Sequence, residues 1–68
     1  MVSYSEDELL EAVRRQMRMD RQYQQNVNAA IERKDNIWLR TLIEQVAEAV
    51  FGQIVQSLMN SILAFFGF

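Results

Sequence analysis

The chain contains no cysteine, no histidine and no proline, and only two of its 68 residues are glycine. Without cysteine there is no disulfide framework, and without cysteine or histidine the usual structural zinc sites are closed to it. A chain this short buries only about 60% of its unfolded surface when it folds alone, and such chains commonly lean on disulfides, a metal or association. With the first two removed, association with a second copy or with another protein is the expected support. The same gaps empty the catalytic inventory. Acid–base or nucleophilic work would fall to carboxylates, lysine, tyrosine or serine, and none of these stands in a recognisable spacing. The sequence therefore reads as non-enzymatic, with no cofactor, no metal and no small-molecule substrate.

Scarce glycine and absent proline also mean that nothing enforces a helix break before Gly52. β-branched residues do not alternate with polar ones, and no Asn-Gly or Asp-Gly pair marks a hairpin between strands. The fold class expected is all-α, in a single domain spanning 1–68.

Ser5 followed three residues later by Glu8 is a capping-box pattern, with Tyr4 and Leu9 at the staple positions and Glu6, Asp7 and Glu8 at the positive end of the helix dipole. Helix 1 is expected over about 6–33, carrying an apolar face of Leu9, Leu10, Val13, Met17, Tyr23, Val27, Ala30 and Ile31. Asp20 and Gln24 fall in that seam, which marks an outer, solvated helix. The polar run Glu32 to Asn36 interrupts the pattern, with cations where a helix end favours them and Asp35 or Asn36 able to cap the next helix. A tight turn at about 34–36 is expected. The competing reading, one uninterrupted helix of about 60 residues, would lie far out on the length distribution of globular helices.

Helix 2, expected over about 37–66, repeats two apolar and two polar or small residues: Trp38-Leu39, Leu42-Ile43, Val46-Ala47, Val50-Phe51, Ile54-Val55, Leu58-Met59 and Ile62-Leu63. Four residues overshoot a helical turn by about 40°, so the stripe migrates around the helix and no single straight neighbour can cover it. An antiparallel two-helix hairpin that assembles as a homodimer into a four-helix bundle, or into a larger helical oligomer, supplies the missing neighbours. The expected interface is Trp38, Leu42, Ile43, Val46, Val50, Phe51, Ile54, Val55, Leu58, Met59, Ile62, Leu63, Phe65 and Phe66. The plain alternative is that these residues are simply core. Gly52 in the middle of this helix costs about 1 kcal/mol against alanine, which calls for close backbone packing or a kink. Gln53, Gln56, Ser57, Asn60 and Ser61 form a polar flank that can hydrogen-bond across a helix interface or face solvent.

The formal net charge is −2, and residues 49–68 carry no charge at all. An acidic balance disfavours nucleic acid, whose affinity comes largely from cationic neutralisation of phosphates. Arg14, Arg15, Arg18 and Arg21 nonetheless form a local basic patch that could meet an anionic partner. An ordinary solvated face with a Glu11–Arg15 pair explains it more simply, and no aromatic residue interleaves the arginines to stack on bases. A membrane is the stronger rival partner, because the uncharged segment 49–68 ends in Phe65, Phe66 and Phe68 and could lie in a bilayer surface. As a span it fails, since polar pairs interrupt it at every turn until Ala64. Acidic residues near the start do not resemble a signal peptide, so a cytoplasmic location is expected. The function implied is that of a non-catalytic helical oligomerisation or protein-interaction module acting through the stripe of helix 2.

Overall fold

The computed structural model describes residues 5–68, so Tyr4 and its staple with Leu9 lie outside the described residues. The all-α class holds: the described residues form four helices and no strand, α1 (Glu6–Met19), α2 (Arg21–Glu32), α3 (Asn36–Phe51) and α4 (Gln56–Phe65). The two-helix hairpin expected from the sequence is corrected to four shorter helices. Helix 1 breaks at Asp20 and helix 2 breaks at Gly52.

α1 starts as its cap requires, with the Glu8 N–H donating to Ser5 Oγ at 3.2 Å and three acidic residues in the first turn. Asp20 then does two jobs. Its N–H closes α1 on the Gln16 carbonyl at 2.9 Å, while its extended backbone and side chain open α2, with Oδ1 accepting from the Tyr23 N–H at 3.2 Å. A short acidic side chain that satisfies exposed helix-end N–H groups permits a bend without glycine. The elbow turns Tyr23, Val27 and Ala30 into the core.

α2 ends in a Schellman motif. Lys34 takes a left-handed conformation at φ 56°, its N–H donates to the Ile31 carbonyl at 3.1 Å, and the Asp35 N–H donates to the Ala30 carbonyl at 2.9 Å. Lysine replaces the usual glycine here at a cost of about 1 kcal/mol. Asp35 immediately caps α3 by accepting from the Trp38 N–H at 3.0 Å.

α3 stops at Gly52, whose φ of 75° is left-handed and whose N–H still reaches the Glu48 carbonyl at 2.9 Å. The chain then re-enters a helix at Gln56 and α4 folds back against α1 and α3. Arg40 holds that return, donating from Nη1 to Gln56 Oε1 at 2.9 Å and from Nη2 to Asn60 Oδ1 at 2.8 Å.

This break changes how the wandering stripe is covered. Leu42, Ile43 and Val46 of α3 meet Met59, Ile62 and Leu63 of α4 in one buried cluster, together with Leu9 and Val13 of α1 and Val27 of α2. The chain exposes 4603 Å², close to the roughly 4,450 Å² expected of a folded monomer of its 8.0 kDa. The premise that helix 2 is straight, and so must borrow its cover from another chain, is therefore corrected. One chain buries most of the stripe by folding it in two.

Candidate association surface

The folding-over divides the fourteen residues expected at an interface. Leu42, Ile43, Val46, Met59, Ile62 and Leu63 are buried inside one chain, and Trp38, Phe51, Val55, Leu58 and Phe66 are half-buried. Val50, Ile54 and Phe65 remain on the surface, at 52%, 36% and 59% exposure. What the sequence presents as a single stripe is mostly core, with a remainder of exposed apolar positions.

Val50 sits in a concave surface. α1 and α3 pack side by side and leave a trough between them. One hollow of about 290 Å³ is lined by the apolar Ala12, Val46, Ala49 and Val50 together with the polar Arg15, Gln16 and Gln45, and by Met19, Asp20 and Tyr23 at the α1–α2 elbow. A second, of about 380 Å³, runs on towards the start of α1 between Asp7, Glu8 and Glu11. Ala12, Arg15 and Val50 border both, so the two hollows lie next to each other along α1 and together make the groove.

Local sequence explains the shape. Glu8, Ala12, Arg15 and Met19 recur at spacings of four, three and four, which puts them on one face of α1. Val46, Ala49 and Val50 do the same on α3. Alanine at positions 12 and 49 leaves the volume that a larger side chain would fill. Met19 forms an apolar edge at 77% exposure. Sequence reasoning found Val46 and Val50 but missed the α1 wall, because Ala12 and Met19 fall outside the apolar face assigned to helix 1. The available signal was a small residue and an exposed methionine in register on one helix.

The arginine patch is divided by the same geometry. Arg15 lines the groove, while Arg18 Nη2 pairs with Glu11 Oε1 at 3.5 Å. The expected partner of Glu11, Arg15, is replaced by Arg18 two turns on. Arg14 lies over the Phe65 ring, its Cζ 5.9 Å from the centroid, and Arg21 opens α2 beyond the elbow. The polar flank of α4 is used within the chain: Gln56 and Asn60 accept from Arg40, and Ser61 Oγ donates to the Ser57 carbonyl at 3.1 Å.

The fold perturbs the Tyr23 phenol. Its hydroxyl donates to the Leu42 carbonyl at 2.7 Å beneath the groove, and burial pushes its pKa from 10.0 up to about 12. A phenol held protonated and tied to a helix carbonyl pins α2 to α3; it is not poised to exchange protons near neutral pH. Among the described residues no three His, Cys, Asp or Glu side chains gather as a metal set, and no helix is long and apolar enough to cross a membrane. Phe65 and Phe68 are exposed on the α4 side of the molecule, with Phe65 under Arg14 of α1. Comparison with protein families, with curated proteins and with solved structures finds no match to this chain.

Proposed function

We propose that this protein is a non-catalytic helical association module whose partner is a second copy of itself, and that it acts through the surface left open between α1 and α3. The observation that carries the reading is the groove. Ala12, Val46 and Ala49, with the exposed Val50 and Met19, form the apolar part of a concave surface between two helices, the shape into which another helix packs. A domain that has closed its own core has no internal need for such a trough. The arginines divide between the groove, an ion pair and an aromatic ring, which weakens a nucleic-acid role.

Sedimentation of the full chain from low micromolar to near-millimolar concentration tests the reading. The average mass should climb from monomer towards dimer with concentration. A mass that stays monomeric across that range would refute self-association.

A second reading has its own support where α4 meets α1. Phe65 and Phe68 are 59% and 37% exposed, and Phe65 lies under Arg14, a pairing of aromatic and cation that suits a membrane surface. Co-flotation with anionic vesicles, lost on replacing Phe65 and Phe68 by serine, would favour it. Absence of flotation would remove it.

A further inference from the structure

We propose that the helix that fills the α1–α3 groove is the partner's own α1, running antiparallel to the α1 that lines it, with the two-fold axis passing near Ala12. The inference rests on the self-association reading above and adds the surface, the occupant and the direction.

Charge order along α1 sets the direction. Glu6, Asp7, Glu8 and Glu11 occupy the first half of the helix, and Arg14, Arg15 and Arg18 occupy the second. Two copies side by side in the same direction would set acid against acid and arginine against arginine. Two copies in opposite directions set each acidic half against the other's arginines, twice over, because a two-fold interface repeats every contact. The helix is thus complementary to itself in one orientation only.

The groove places that complementarity. Its acidic end is bordered by Asp7, Glu8 and Glu11, its middle by Arg15, and its far end by Met19. An antiparallel α1 laid along it brings the partner's Arg15 and Arg18 to the acidic end and the partner's acidic half to Arg15. Ala12 at the crossing point is already only 8% exposed within one chain, so it and the small Ala49 beside it put no bulky side chain between the two helices. Glu8, Ala12, Arg15 and Met19 also carry the spacing of an interhelical seam. Each α1 then touches the partner's α3, so α1 and α3 from both copies make a four-helix layer in which Val50 and Met19 lose their exposure. Within one chain Arg18 and Glu11 are paired at 3.5 Å with both side chains more than half exposed. A pair of that kind is weakly held and readily exchanged for an intermolecular one.

The test is sedimentation equilibrium on the full chain with charges reversed across the proposed contact. Glu11→Arg and Arg15→Glu should each raise the dimer dissociation constant about tenfold or more, since each change acts twice. The double variant, and an equimolar mixture of the two single variants, should return to within about threefold of the parent, because each restores opposite charges across the contact, the coupling expected of groups that touch. Circular dichroism of each variant establishes that the monomer fold persists. Single variants that associate as tightly as the parent would overturn the inference and leave self-association standing through another surface. Single variants no weaker than the parent, with a mixture that is tighter, would mean parallel pairing and would also overturn it. A parent that never associates defeats both this inference and the reading beneath it.

Discussion

Replacing Gly52 by alanine separates the folded-over chain from a chain with one long second helix, because the two arrangements give effects of opposite sign. Gly52 adopts φ 75° and ψ 5°, and an added Cβ would meet nothing within 4 Å. The whole effect is therefore in the backbone. A left-handed conformation costs an L-residue about 1–2 kcal/mol, offset by about 0.4–1 kcal/mol because alanine restricts the unfolded chain. The net is a loss of about 0.8 kcal/mol, the middle of a range from about zero to 1.6. In an uninterrupted helix over 37–66 the same change would stabilise by about 1 kcal/mol. Domains of this size shift their melting temperature by about 4–8 °C per kcal/mol. Thermal unfolding followed by far-ultraviolet circular dichroism at fixed concentration should show a fall of about 2–8 °C. A rise of that size would refute the break at Gly52, and with it the burial of the stripe within one chain.

Three further substitutions probe the core beneath the groove and the docking of α4. Because burial raises the Tyr23 pKa from 10.0 to about 12, the unfolded phenol ionises first. The stability it contributes is whole below about pH 10 and is lost as pH rises towards 12, a change on the order of 2 kcal/mol. Tyr23→Phe should cost about 1 kcal/mol at neutral pH through loss of the bond to Leu42 and should flatten that alkaline fall; an alkaline profile equal to the parent's would contradict the assignment. Met59 is 1% exposed, so Met59→Asp places an unpaired charge in the core and should unfold a domain whose total stability is roughly 3–10 kcal/mol. Leu58→Asp, at a half-buried neighbour, should be milder by circular-dichroism melting, and equal damage from the two would mean that α4 docks by a different face.

Much of the helix punctuation was written in the sequence. Ser5 caps α1 as its spacing with Glu8 implies, and Asp35 caps α3. The turn between α2 and α3 forms without glycine because Lys34 accepts a left-handed backbone, which no residue-type rule would single out. Asp20 was visible as an acidic residue in an apolar seam. Its meaning was not, since a surface aspartate and a helix-capping aspartate look alike until Tyr23 is known to need the core. Gly52 was visible too, but the four-residue repeat runs through it unbroken and periodicity alone favours continuity. The drift of that repeat, about 40° each time, was the physical hint: breaking the helix re-aims the second half instead of recruiting another chain. The groove was half legible for a related reason. Val46 and Val50 belong to an apolar pattern, whereas Ala12 and Met19 gain their significance from the space they border, and that space exists only after α1 and α3 are packed.

If a chain with a closed core keeps the α1–α3 groove for a second copy of itself, backbone amide NMR during dilution reports it residue by residue. As concentration falls, resonances of Ala12, Arg15, Met19, Ala49 and Val50 should move together along a single dimer-to-monomer isotherm. Ile37, which is 76% exposed and lies away from the groove's lining residues, should stay where it is. Spectra that do not change with concentration, or changes confined to Ile37 and the Phe65 to Phe68 end, would contradict self-association through the groove.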